Sequence, residues 1–310
     1  MKKFYLREAA LMLGATAFAV VTFSSCSNAE EVLNQVELGR GMTASVRVQV
    51  NDFAMSVDDI PNAQTRAAVN PASYSQVQVM TLVFYASDGT KMFEDTQLKT
   101  GDSHYTTFGT FSCDLPIGSY TMLVIARDSV DGDEFVLTSP TAAAYTSEKV
   151  RETFCKTQSV SVTSSAALDL SVTLDRIVPQ LVVYSTDARP AGVDKIRTTY
   201  GAGSKSFNPT TGLAVGNTGY SLVNTIHKTA VGATIGVKNF VYLSTDEQNV
   251  TITLEALDAE DNVLITKLIS DVPLKRNRMT TLRGPVFTPS VSTASFQLET
   301  SWLEGNTVNF

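Results

Sequence analysis

The readable pattern begins at Thr43. From there to Val50, Ala44, Val46, Val48 and Val50 alternate with Ser45, Arg47, Gln49 and Asn51. That period of two places the apolar side chains on one face of a β-strand. Gln76 to Ala86 starts in alternation and then turns apolar on both faces through Met80-Thr81-Leu82-Val83-Phe84-Tyr85, which predicts a central strand covered from both sides. Ser87-Asp88-Gly89-Thr90 follows as a turn, with Gly89 able to take a positive φ. Thr106 to Leu115, Ser119 to Arg127, Glu134 to Leu137 and Leu168 to Tyr184 read as further strands, the first two joined tightly by Pro116-Ile117-Gly118. Pro179 interrupts the long last segment; a residue with no N–H to donate marks an edge, a bulge or a crossing between sheets. Ser147 to Lys156 reads as a short helix with Ser147 as its N-cap.

The second half keeps the same style. Phe240 to Leu243, Val250 to Leu257, Val263 to Ile269, Arg278 to Arg283 and Ala294 to Trp302 are its expected strands, and Asp258 to Asn262 is a hairpin turn. Gly201 to Gly219, rich in Gly, Ser, Thr and Asn, reads as an irregular excursion. The expectation is an all-β chain of two tandem β-sandwiches, residues 43–175 with the short helix and residues 176–310.

Residues 1–25 stand outside this pattern. Lys2, Lys3 and Arg7 precede an apolar run from Ala9 to Phe23 that is too short to span a bilayer and has the form of a secretory signal. Ser24 and Ser25, both small, lead into Cys26, the arrangement that lipoprotein signal peptidase accepts. Phe23 stands where leucine is usual. Lipidation of Cys26 would anchor the chain with no spanning helix, leaving residues 26–42 as a tether. Loss of Lys2, Lys3, Arg7 and Glu8 with the signal takes the net charge from −7 to −9. Such acidity gives nucleic acid or anionic lipid no counterion-release gain as a partner. Glu30 and Glu31, soon after Cys26, resemble the surface-export signals of Bacteroidota lipoproteins, which points to the outside of the outer membrane.

Candidate chemistry is sparse. Two histidines, His104 and His227, and no H-E-x-x-H motif give no zinc site, and no set of acids or nucleophile and base can be argued to converge. No metal, cofactor or enzymatic activity is expected. Cys113 and Cys155 are either a disulfide, which an oxidising compartment permits, or two separate buried thiols. Asp128-Ser129-Val130 matches a short bacterial O-glycosylation pattern.

The order of these features resembles the FimA-type fimbrillins of Bacteroidota, including their stalk, anchor and accessory subunits. The resemblance rests on the lipobox cysteine, the strand Thr43–Val50, a polar loop holding Thr65-Arg66-Ala67, and the following strand to Tyr85. It continues through Gly118-Ser119-Tyr120-Thr121-Met122-Leu123-Val124-Ile125-Ala126, similar to the family's G-x-Y-x-L-x-V-x-A segment, and Leu174-Asp175-Arg176-Ile177-Val178, similar to the strand joining its two domains. Pro273 to Arg278 and Phe296 to Trp302 fit its closing hairpin. Val178-Pro179-Gln180 departs from the family pattern.

The resemblance implies transthyretin-like sandwiches and a structural role: a subunit of a surface fimbrium, with other subunits as partners. It implies that the first strand, through Val46, Val48 and Val50, plugs a groove. An arginine-specific protease would cut between Arg66 and Ala67, and a neighbour's strand would replace the plug. Phe296, Leu298 and Trp302 would face one way on a candidate donor strand, which reads equally as an ordinary final strand of the second domain. If the subunit is an anchor, the loop at Arg66 stays intact and the lipid is kept. The alternative function is glycan binding by a surface lipoprotein, disfavoured by the single tryptophan, Trp302.

Overall fold

The computed structural model describes residues 41–56, 66–101, 104–128, 135–147, 149–289 and 297–300, and every strand or helix assigned among them is a β-strand. The N-terminal ten are β1 (Thr43–Ser56), β2 (Arg66–Val69), β3 (Val79–Ala86), β4 (Lys91–Leu98), β5 (Thr110–Pro116), β6 (Gly118–Arg127), β7 (Phe135–Ser139), β8 (Ala142–Tyr145), β9 (Thr153–Val162) and β10 (Leu168–Arg176). Eight of them form one sheet in the order β2-β1-β10-β9-β6-β3-β4, with β5 added beside β1. The sheet is narrow in the middle, because β9 and β10 share only Cys155↔Asp175 and Phe154↔Arg176. It folds there, so that β5-β1-β10 lies across from β9-β6-β3-β4 over a common apolar core. That core holds Val46 and Val48 of β1, Leu82 and Phe84 of β3, Phe111 of β5, Val124 of β6, Phe154 of β9 and Leu174 of β10.

Strands β3 and β6 are buried on both faces, as the doubly apolar run at Met80–Tyr85 predicts. Their second face, with Val83, Tyr85, Leu123 and Ile125, packs with Ala143, Tyr145, Phe207 and Tyr242 in a separate cluster. The helix expected over Ser147–Lys156 is replaced: Thr153 onward belongs to β9, which pairs with β6 from Arg127↔Thr153 to Gly118↔Val162. Thr153, Phe154 and Cys155 are all buried, Phe154 toward the first core and Cys155 toward the second cluster.

Ten more strands follow: β11 (Gln180–Ser185), β12 (Lys195–Tyr200), β13 (Ser206–Asn208), β14 (Leu213–Ala214), β15 (Tyr220–Thr225), β16 (Gly236–Phe240), β17 (Glu247–Leu257), β18 (Val263–Lys275), β19 (Met279–Gly284) and β20 (Gln297–Thr300). Two four-stranded sheets, β16-β11-β19-β20 and β15-β12-β17-β18, enclose a core with Leu181, Ile196, Leu222, Ile252, Leu254 and Leu282. Pro179 stands between β10 and β11, where the chain passes from one sheet to another. At the Asp258–Asn262 hairpin, Asp258 Oδ1 accepts from the Glu260 and Asn262 N–H groups at 3.0 and 2.8 Å.

The segment Gly201–Gly219 is less irregular than its composition suggests. It supplies β13 and β14, which extend β8 and β7 into a small sheet, β14-β13-β8-β7. Phe207 pairs with Ala143 there, so strands from the two halves of the chain hydrogen-bond to each other. From Met42 onward the contacts form a single compact unit.

Candidate functional site: the slot filled by the first strand

Strand β1 lies inside its sheet. Along Thr43–Gln49 it runs antiparallel to β5 (Thr43↔Pro116 to Gln49↔Thr110), while from Val46 onward it runs parallel to β10 (Val46↔Leu168 to Ala54↔Asp175). Val46, Val48 and Phe53 are completely buried, and Ala44 and Val50 nearly so; Ser45, Arg47 and Gln49 are exposed. Full burial of a valine or phenylalanine contributes roughly 1.5–3 kcal/mol, so the apolar face of β1 holds it with a free energy comparable to the net stability of a domain. Gly109, at φ +86°, brings the entry of β5 close to Val50, whose N–H donates to the Gly109 carbonyl at 2.8 Å. Gln97 fixes that entry by accepting from the Gly109 N–H at 2.7 Å and donating to the Thr110 carbonyl at 2.8 Å.

The strand is longer than its simple alternation. The register against β10 shifts between Val50 and Asp52. This bulge changes the parity, so that after the even-numbered inward residues it is Phe53 that enters the core. Phe53 stacks on Phe154 with ring centroids 4.5 Å apart, and Tyr74 meets both rings edge-on at 5.8 Å. Beneath them Arg176, buried and 5.0 Å from the Phe154 ring centre, pairs with the buried Glu152 at 2.6 Å. Arg176 Nη2 donates to the Tyr74 hydroxyl at 2.9 Å, and that hydroxyl donates to Glu152 at 2.9 Å. Burial and the neighbouring carboxylate of Glu152 push the Tyr74 phenol well above its ordinary range. Farther along, the Asn277 side chain donates to the Ala54 carbonyl at 3.4 Å.

Arg66 and Ala67 fall in β2 rather than in a loop. Their backbone pairs antiparallel with the end of β1, Arg66 opposite Ser56 and Ala67 opposite Met55. Leu298 falls in β20, opposite Leu282 of β19, so the middle of the candidate donor segment serves as an edge strand of its own sheet. Cys26, Phe296, Trp302 and Ser129 lie outside the described residues.

Cys113 and Cys155 are free thiols, Cys113 on β5 packed at the first core and Cys155 in the second cluster. Burial pushes them up to about 11 and about 12. His104 is exposed and 3.0 Å from Asp95, and His227 is exposed in a turn. Among the described residues, no group of three or more His, Cys, Asp or Glu side chains could hold a metal ion.

Fold and site together define an all-β protein whose N-terminal strand fills a two-walled slot. The chain belongs to the family of unknown function DUF6562, whose profile matches residues 42–302. No curated protein matches it. Among solved structures it is similar to a candidate adhesin from Bacteroides ovatus, with 12% identity over 85% of this chain and 96% of that one, at a TM-score of 0.51. A candidate polysaccharide-binding protein (DUF1812) from Bacteroides thetaiotaomicron gives 11% identity over 85% and 100%, with a TM-score of 0.50. The fimbrial anchor protein Mfa2 from Porphyromonas gingivalis gives 11% identity over 84% and 98%, with a TM-score of 0.49. Identities this low speak to fold alone.

Proposed function

We propose that the protein is a subunit of an adhesive cell-surface fimbrium, made as a lipid-anchored precursor and akin to the FimA-type fimbrillins, in which β1 is a provisional occupant of its slot. In this reading Cys26 carries the lipid that takes the precursor to the outer membrane. A protease cuts between Arg66 and Ala67, β1 departs, and a strand from another subunit enters by β-strand addition. The two halves, β1–β10 and β11–β20, act as the successive sandwiches of one rod segment.

One observation carries the reading. The first strand of the fold lies between two walls, β5 and β10, instead of at a sheet edge. A single peptide cut therefore separates it from the rest of the fold, and its loss leaves two unpaired edges over an apolar floor. Such edges are templates for another strand. The fold shared with a candidate adhesin is consistent with this role. The pairing of Arg66 and Ala67 with β1 adds a condition: the short β2 ladder must open before a protease can bind the bond in extended form. As donor, the Phe296–Trp302 segment would have to give up the pairing of β20 with β19.

Mass spectrometry of shed surface material tests this. A mature form beginning at Ala67, migrating as a ladder of oligomers unless boiled, is the expected result. A mature form that keeps a lipidated Cys26 and migrates only as a monomer would overturn it.

A further inference from the structure

The two stretches of β1 are held in different ways. Before the bulge, Ala44, Val46, Val48 and Val50 offer methyl groups to a smooth apolar floor, which any alternating apolar strand can match. After the bulge the contacts are specific. Phe53 sits flat on Phe154, at an interplanar angle of 25°, and receives the edge of Tyr74 at 75°. The two receiving rings are themselves fixed: Phe154 lies close to the Arg176 guanidinium, and Tyr74 is tied by its hydroxyl to both Arg176 and Glu152. Arg176 and Glu152 are a buried ion pair, and such a pair is costly to disturb. The pocket is thus preorganised.

We propose that this pocket sets the slot's selectivity: a strand that takes the place of β1 is held only if it carries an unsubstituted aromatic ring at the Phe53 position. The inference rests on the reading that β1 is exchanged. An aromatic ring meets the faces and edges of Phe154 and Tyr74 with quadrupole-matched geometry, a gain beyond area that an aliphatic side chain forgoes. A hydroxyl on the ring would need a partner, because Phe53 is fully buried.

A second grip is indifferent to sequence. Asn277, at φ +57°, sits in the turn between β18 and β19. Its N–H donates to the Val178 carbonyl at 3.2 Å and its side chain to the Ala54 carbonyl. Arg276 steadies this turn through the Thr211 carbonyl at 2.9 Å and Asp246 at 3.2 Å. The C-terminal half therefore holds the backbone of the occupant, whatever its side chains, just past the ring that the N-terminal half selects.

Two measurements on the full chain test the proposal. Hydrogen exchange on the uncut protein should show Phe53→Leu raising exchange at residues 52–55 roughly tenfold, the scale of a lost aromatic pair, while β12 and β17 stay unchanged. Asn277→Gly, which keeps the positive φ, should do the same more weakly. Uniform acceleration across both halves, or none, would overturn the pocket. The protein nicked at Arg66 is then incubated with a labelled peptide of residues 43–56 or its Phe53→Leu counterpart. Preferential uptake of the phenylalanine peptide, roughly tenfold, is expected. Equal uptake of both refutes the selectivity. If neither peptide enters while the exchange result holds, the pocket stands as a static clamp; strand exchange fails, and the proposed selectivity with it.

Discussion

Arg47 and Val48 are adjacent and meet opposite surroundings, the first exposed and the second fully buried. That contrast was legible because side chains in a strand alternate with a period of two. Arg176 and Glu152 were not legible as a pair. Charged residues almost never enter a core unless paired, and Tyr74, whose hydroxyl bonds both members of the pair, is separated from Arg176 by 102 positions. Nothing local announces such a contact, although Arg176 stood in a segment already noted for resemblance. Cys155 offers a test at this scale. Burial raises its thiol from an ordinary 9.0 to about 12. The folded state thus keeps the proton that the unfolded state loses above pH 9, so this contribution is intact below pH 9 and declines as pH rises toward 12. Urea midpoints measured from pH 7 to 10.5 should fall more steeply for the wild type than for Cys155→Ala.

Among the elements, the strands with clean alternation or long apolar runs appear where the pattern puts them, and the misreadings have physical causes. The helix expected at Ser147–Lys156 arose because Val150 and Phe154 are four residues apart amid charges, which imitates an amphipathic helix. In the fold Glu152 is one of those charges and is buried against Arg176, while the start of β9, Thr153–Cys155, is covered on both faces and so shows no strand alternation there. Strand β1 extends to Ser56, beyond the visible pattern, because the bulge near Asn51 reverses parity and hides the continuation. Deleting Asn51 should therefore give Val50, Asp52 and Phe53 a regular alternation against Val172, Thr173 and Leu174 and keep Phe53 in the core. Urea unfolding of that deletion should show a loss well below that of Phe53→Ala, which should be about 3–5 kcal/mol, as for a truncated core phenylalanine.

For the molecule as a whole, the sequence suggested a seam near Arg176, and the structure places bonds across it. Phe207 and Ser206 of β13 pair with Ala143 and Ala144 of β8, and Tyr242 meets Thr153 at 2.9 Å between their hydroxyls. Phe207 and Tyr242 stack with centroids 4.4 Å apart. Composition concealed this, since β13 and β14 lie in a segment rich in Gly, Ser and Thr, and two- and three-residue strands carry no period. A fragment of residues 42–176 would uncover Val83, Tyr85, Leu123 and Ile125, which pack against Phe207 and Tyr242 in the intact chain. Such a contiguous apolar patch is an aggregation liability. The fragment should sediment as aggregate, or melt at least 10 °C below the whole chain by circular dichroism, about the shift expected when a small domain loses a few kcal/mol.

The walls beside β1 differ in sense, β5 running against it and β10 with it. A strand entering backwards would reverse both relationships, and the spacing of hydrogen-bonding groups differs between the two kinds of ladder. The opening is thus readable in one direction only. Any filament built by filling it would have a head and a tail, and would grow with every subunit pointing the same way.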